Sequence, residues 1–156
     1  MSAATSIARS QARLAAVQAL YQMELAETDI TAVIDEFMSH RLGEQAEVDT
    51  AAQVDPEHFA RVVKGVVAHQ REIDPLIDNQ LAQGWRLARI DSIVRAILRA
   101  AAFELTELDD IPARVVISEY IDVAHAFFEG DEPKVVNGVL DQLSRKLRPG
   151  ELTDRT

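Results

Sequence analysis

The chain of 156 residues contains no cysteine, which excludes disulfides, thiolate chemistry and cysteine-type zinc sites. Aromatic residues make up only 5% of it, with one tryptophan; an abundance of Ala, Leu, Ile and Val in their place favours helices. No apolar run approaches the roughly 18 residues needed to cross a bilayer. The N-terminus lacks a basic-then-apolar secretory layout, because Arg, Ser and Gln interrupt its alanines. A cytoplasmic protein with no membrane association is expected. The four histidines, His40, His58, His69 and His125, show neither H-x-x-x-H nor H-E-x-x-H spacing, which argues against a metal site. G-x-G-x-x-G, G-K-[ST] and G-x-S-x-G are all missing, so no nucleotide-binding or hydrolase signature is present. The expectation is a protein without catalytic residues, metal or cofactor, and not an enzyme.

Basic residues are scarce but unevenly placed. The formal net charge is −10, from 16 Lys and Arg against 26 Asp and Glu. Residues 24–57 hold ten acids and one base, Arg41, and residues 104–132 hold nine acids and one base, Arg114. The remainder is therefore net positive, which leaves room for a basic surface on an acidic molecule. The first 23 residues contain Arg9 and Arg13 and no acid at all. An acid-free, arginine-bearing helix suggests a surface for a polyanion; ordinary solvated arginines on a helix face would look the same.

The apolar spacing predicts an all-α fold of about seven helices. The first runs from near Ser6 to Ala26 with Thr5 or Ser6 as N-cap. A second follows Asp29 with Ile30, Val33, Ile34, Phe37 and Met38 at helical spacing. Residues 43–54 read as a flexible linker. Asp55-Pro56 opens a third helix with Phe59, Val62, Val63, Val66 and Val67 in its stripe. Asp74-Pro75 opens a short fourth, ended by Gly84-Trp85. Asp91 caps a fifth, Pro112 opens the next, and Pro149-Gly150 stops the last. Strand alternation, internal repeats and low-complexity tracts are absent.

Four motifs carry a resemblance. Residues 12–21 fit A-R-x-x-A-x-Q-A-L-Y at every fixed position. Arg95-Ala-Ile-Leu-Arg99 is followed by Ala101, Glu104 and Leu105; Pro112, Val115, Ile117, Glu119 and Ala124 come next; then Val136-Asn137-Gly138-Val139-Leu140-Asp141. In this order the chain resembles the NusB family of transcription antitermination factors. The resemblance implies two small packed helical bundles: residues 1–42 with 55–83 as one helical subdomain, and 84–148 as the other. It also implies binding of boxA-type single-stranded RNA from ribosomal RNA leaders, together with a ribosomal small-subunit protein acting as NusE. Other Nus factors and RNA polymerase are then reached through that complex. A second class of function stays open: a protein-interaction module of the same fold with weak or no RNA binding of its own. NusB-like domains also occur joined to RNA methyltransferases; the short tail after the last helix favours the stand-alone factor.

The expected RNA contacts are Arg9, Arg13, Gln18, Tyr21 and Lys134. Arg9 and Arg13 lie one turn apart and could address adjacent phosphates. Tyr21, two turns beyond Arg13, could stack on a base or sit in the core with its hydroxyl satisfied. Lys134 precedes the final helix, whose N-terminal amides favour an anion. The expected partner-binding edge is Asp131 with Glu129 and Glu132, whose charge suits a basic protein. Structural duties are expected elsewhere: close helix approach at Gly138, and ion pairs for Arg95, Arg99 and Glu104.

Overall fold

The computed structural model describes residues 3–42, 54–82 and 85–152; most of the expected 43–54 linker lies outside them. The described residues form six α-helices and no strand: α1 Ala3–Ala26, α2 Ile30–Glu36, α3 Pro56–Asp78, α4 Ser92–Glu107, α5 Ala113–Phe127 and α6 Glu132–Leu147. A π-helical turn, Phe37–Leu42, continues α2, and a 3-10 turn, Leu87–Arg89, precedes α4. Backbone contacts divide the chain into two compact units, residues 1–67 and 68–156, so the division falls within α3.

In the first unit, α1 is alanine-rich and buries Ala12, Ala15, Ala16 and Ala19, small side chains that let neighbouring backbones approach. It begins at Ala3 rather than Ser6, because Ala, Thr and Ser there offer no break, and neither Thr5 nor Ser6 is a cap. It ends where Glu27 takes a left-handed φ of 52°. Asp29 then caps α2, its Oδ2 accepting the Thr31 N–H at 3.1 Å. Phe37 and Phe59 stack with ring centroids 5.4 Å apart, tying the π turn to α3. Asp55 caps α3 through Oδ1, which accepts the His58 N–H at 3.0 Å.

α3 corrects the helix count. The short helix expected from Asp74-Pro75 is the last turn of α3, with Pro75 inside it. So near a helix end, proline removes only its own hydrogen bond to the carbonyl of Arg71 and leaves the rest of the ladder intact. The Asn79 N–H still bonds the Pro75 carbonyl at 3.1 Å. Arg99 grips Asp74 with two bonds, of 2.9 and 2.8 Å, an i,i+25 anchor that local sequence rules do not see.

In the second unit, α4, α5 and α6 pack against one another. α4 is buried nearly all round, from Val94 through Leu105 with only Arg99 partly open, which marks it as the core helix. Asp91 caps it as expected, Oδ1 accepting from Ile93 at 2.8 Å and Val94 at 3.2 Å. Of the three residues expected in ion pairs, Arg99 makes one with Asp74; Arg95 donates to the Leu87 and Ile90 carbonyls at 3.0 and 2.9 Å, and Glu104 accepts the Tyr120 hydroxyl. The carbonyls at the C-terminal end of α4 are taken by Arg148, from just beyond α6. Its guanidinium donates to Leu105 and Glu104, both at 3.1 Å, to Leu108 at 2.9 Å, and to Ile111.

Candidate nucleic-acid interface

An α-helix turns about 100° per residue, so Arg9 and Arg13 lie about 40° apart on α1. The structure confirms that they share a face, but it is the buried one. Ala12, Ala16, Val17 and Leu20 line the same arc. Arg13 is 3% exposed, so its guanidinium is packed within the protein and not presented to a phosphate. Arg9, a turn nearer the helix start, keeps 28% of its side chain exposed, with Nε 3.9 Å from Oδ2 of Asp55. That Nε makes no hydrogen bond. Asp55 thus divides its carboxylate, one oxygen capping α3 and the other facing Arg9, while its N–H reaches the Ala8 carbonyl at 3.1 Å.

Gln18 and Tyr21 lie on the opposite flank of α1, each part-exposed. Tyr21 is neither a sealed core residue nor a free ring. The neighbouring Gln22 donates to Glu36 at 3.2 Å, which fixes this flank of α1 against α2.

The other expected residues gather in the second unit, at the entry to α6. Lys134 is exposed in the first turn of α6 rather than ahead of it, its N–H bonded to the Asp131 carbonyl at 3.0 Å. Asp131 occupies the N-cap position, but its side chain makes no cap bond and is exposed, as is Glu129. Glu132 folds back over Gly130: a Cβ built there would meet its Oε1 at 2.8 Å. That oxygen is buried and has no hydrogen-bond partner, so Glu132 is partly covered where Glu129 and Asp131 are exposed. α1 and the α6 entry thus carry the two halves of the expected set in separate units.

Gly138 does not serve a close approach, since a Cβ added there meets nothing within 4 Å. A cavity of about 520 Å³ between α5 and α6, lined by Arg114, Ser118, Asp122, Asp141 and Arg145 among others, contains none of the expected site residues. Among the described residues no cluster of His, Asp and Glu is placed to hold a metal ion. No described helix is long and apolar enough to cross a membrane.

Comparison with known proteins points in one direction. The model of the NusB family matches residues 10–145. A transcription antitermination protein NusB from Rhodopseudomonas palustris (strain HaA2) is 54% identical over 145 residues, covering 93% of this chain and 86% of the relative. A solved structure of T. maritima NusB superposes with a TM-score of 0.76 at 32% identity, covering 92% of this chain and 94% of that one. A structure of antitermination factors NusB and NusE in complex with double-stranded RNA gives a TM-score of 0.71 at 25% identity, over 88% of this chain and 96% of that one.

Proposed function

The chain belongs to the NusB family, and from that premise we propose that it is a transcription antitermination factor. It acts in the cytoplasm as an RNA-binding adaptor and not as an enzyme. Its ligand is boxA-type single-stranded RNA of ribosomal RNA leaders, held together with a ribosomal small-subunit protein acting as NusE. Other Nus factors and RNA polymerase are engaged through that complex. The observation that carries this reading is the likeness, over most of both chains, to a NusB solved with NusE and RNA. In this reading the helices form two bundles, residues 1–42 with 55–83, which include the 43–54 linker between them, and residues 84–148.

Arg9, Gln18 and Tyr21 on α1 and Lys134 on α6 are the RNA contacts in this reading. Arg13, buried on the same face as Arg9, holds α1 in place for them. Glu129 and Asp131, with Glu132 behind them, form the edge that meets the basic partner. Few free cations remain on α1, which supports a shared grip: the partner supplies part of the RNA affinity. Fluorescence anisotropy with boxA-type and scrambled RNA, with and without the ribosomal protein, tests this. Selective binding strengthened by the partner is expected. Equal binding of both RNAs, or none in either condition, refutes it and leaves a protein-interaction module.

A further inference from the structure

Trp85 is the only tryptophan of the chain, and 55% of it is exposed. Among the described residues next to it in the chain, the exposed ones are Ala82, Arg86, Ala88 and Arg89, two small and two charged, which offer little apolar area to seat a hydrophobic protein partner. Residues 79–90 contain two arginines and no acid on a chain of net charge −10. The next carboxylate, Asp91, is turned into α4 as its cap.

The backbone beneath these side chains is held from the protein side. The Trp85 N–H bonds the Ala82 carbonyl at 2.9 Å, and the Leu87 N–H bonds Asp78 Oδ1 at 2.7 Å. Leu87 buries its side chain, and Arg95, itself 7% exposed, donates to the carbonyls of Leu87 and Ile90. A buried guanidinium and a carboxylate thus fix the loop, while an indole and two guanidiniums stand in solvent. Such an arrangement has lost its loop entropy before any ligand arrives.

We propose that Trp85, flanked by Arg86 and Arg89, is a stacking platform for an unpaired base of single-stranded RNA, the arginines meeting the adjoining phosphates. The inference rests on the RNA-binding reading above and adds to it a contact outside α1 and α6. The chemistry favours RNA because the ring offers a face to any base, and the flanking charge complements a polyanion.

A single tryptophan makes the test direct. The full chain is titrated with unlabelled boxA-type RNA while indole emission is followed, and affinity is measured in parallel by anisotropy of end-labelled RNA. Emission is expected to quench with RNA. Trp85→Ala should weaken binding about tenfold, Trp85→Phe should keep most of the affinity, and Arg86→Ala or Arg89→Ala should each flatten the salt slope by about 0.7. Circular dichroism confirms that each variant is folded. Binding with unchanged emission, or unchanged affinity in Trp85→Ala, overturns the platform and leaves the RNA-binding reading standing. Emission that responds only to the ribosomal partner assigns the ring to a protein contact and also overturns it. Absence of RNA binding in every form, wild type included, overturns both.

Discussion

Arg9 and Arg13 show how two like residues one turn apart can hold different duties. Arg9 retains exposure and a loose carboxylate neighbour, so a phosphate can replace Asp55 as its counter-charge. Arg9→Ala should leave stability nearly unchanged and flatten the salt dependence of RNA affinity by about 0.7, one phosphate contact. Arg13→Ala should act on the fold instead. Removing its buried side chain leaves a cavity, at a cost of about 2 kcal/mol or more, read as a lower melting temperature by circular dichroism. If Arg13→Ala melts like the wild type yet loses the salt slope, Arg13 turns outward when RNA binds and the buried assignment is wrong. Glu27 offers a smaller test. Its positive φ costs about 1 kcal/mol in a residue with a Cβ, so Glu27→Gly should recover part of that despite the greater freedom of glycine in the unfolded chain.

Among the elements, α6 contains a glycine without a packing reason. Gly138 is exposed mid-helix with open space beside it, so Gly138→Ala should stabilise the free protein by about 1 kcal/mol in chemical denaturation. A destabilised Gly138→Ala would mean that the free space is filled in solution. The helices themselves were readable because their apolar stripes are long and their caps are local: Asp29, Asp55 and Asp91 all cap as their sequence positions suggest. Pro75 misled because Asp-Pro is the same signal at a helix start and in a last turn, and Arg99, which anchors Asp74 there, is 25 residues away. The face of α1 was legible and its direction was not. A helix as rich in alanine as α1 has no strong apolar stripe to say which side is inside, so the burial of Arg13 follows only from the tertiary packing. Trp85 likewise read as part of a break, since exposure cannot be read from a single aromatic residue.

For the whole molecule, the decisive property is how unevenly acid is distributed along the chain. In the proposed function an acidic edge at Glu129 and Asp131 would repel RNA and attract a basic ribosomal protein. Asp131→Lys should therefore weaken capture of that protein in a pull-down while leaving the helical circular dichroism intact, and should raise RNA affinity slightly. Unaffected capture by Asp131→Lys, and by charge reversal at Glu129 and Glu132, would place the partner elsewhere. Association with the partner should also slow as salt rises, because steering between opposite potentials is screened beyond about 8 Å at physiological ionic strength. Stopped-flow mixing at two salt concentrations measures that rate.

Arg148 gives the second unit a late keystone. The carbonyls it satisfies belong to residues 104–111, some 40 positions earlier in the chain. During synthesis the core helix α4 emerges well before the guanidinium that bonds the carbonyls at its end, so those of Leu105 and Ile111 wait for Arg148 until α6 has been made. A chain truncated after Leu147 lacks that cation, and it should be digested by protease faster than a chain that contains Arg148. The order in which this protein is made thereby postpones closure of the second unit's core until α6 has emerged.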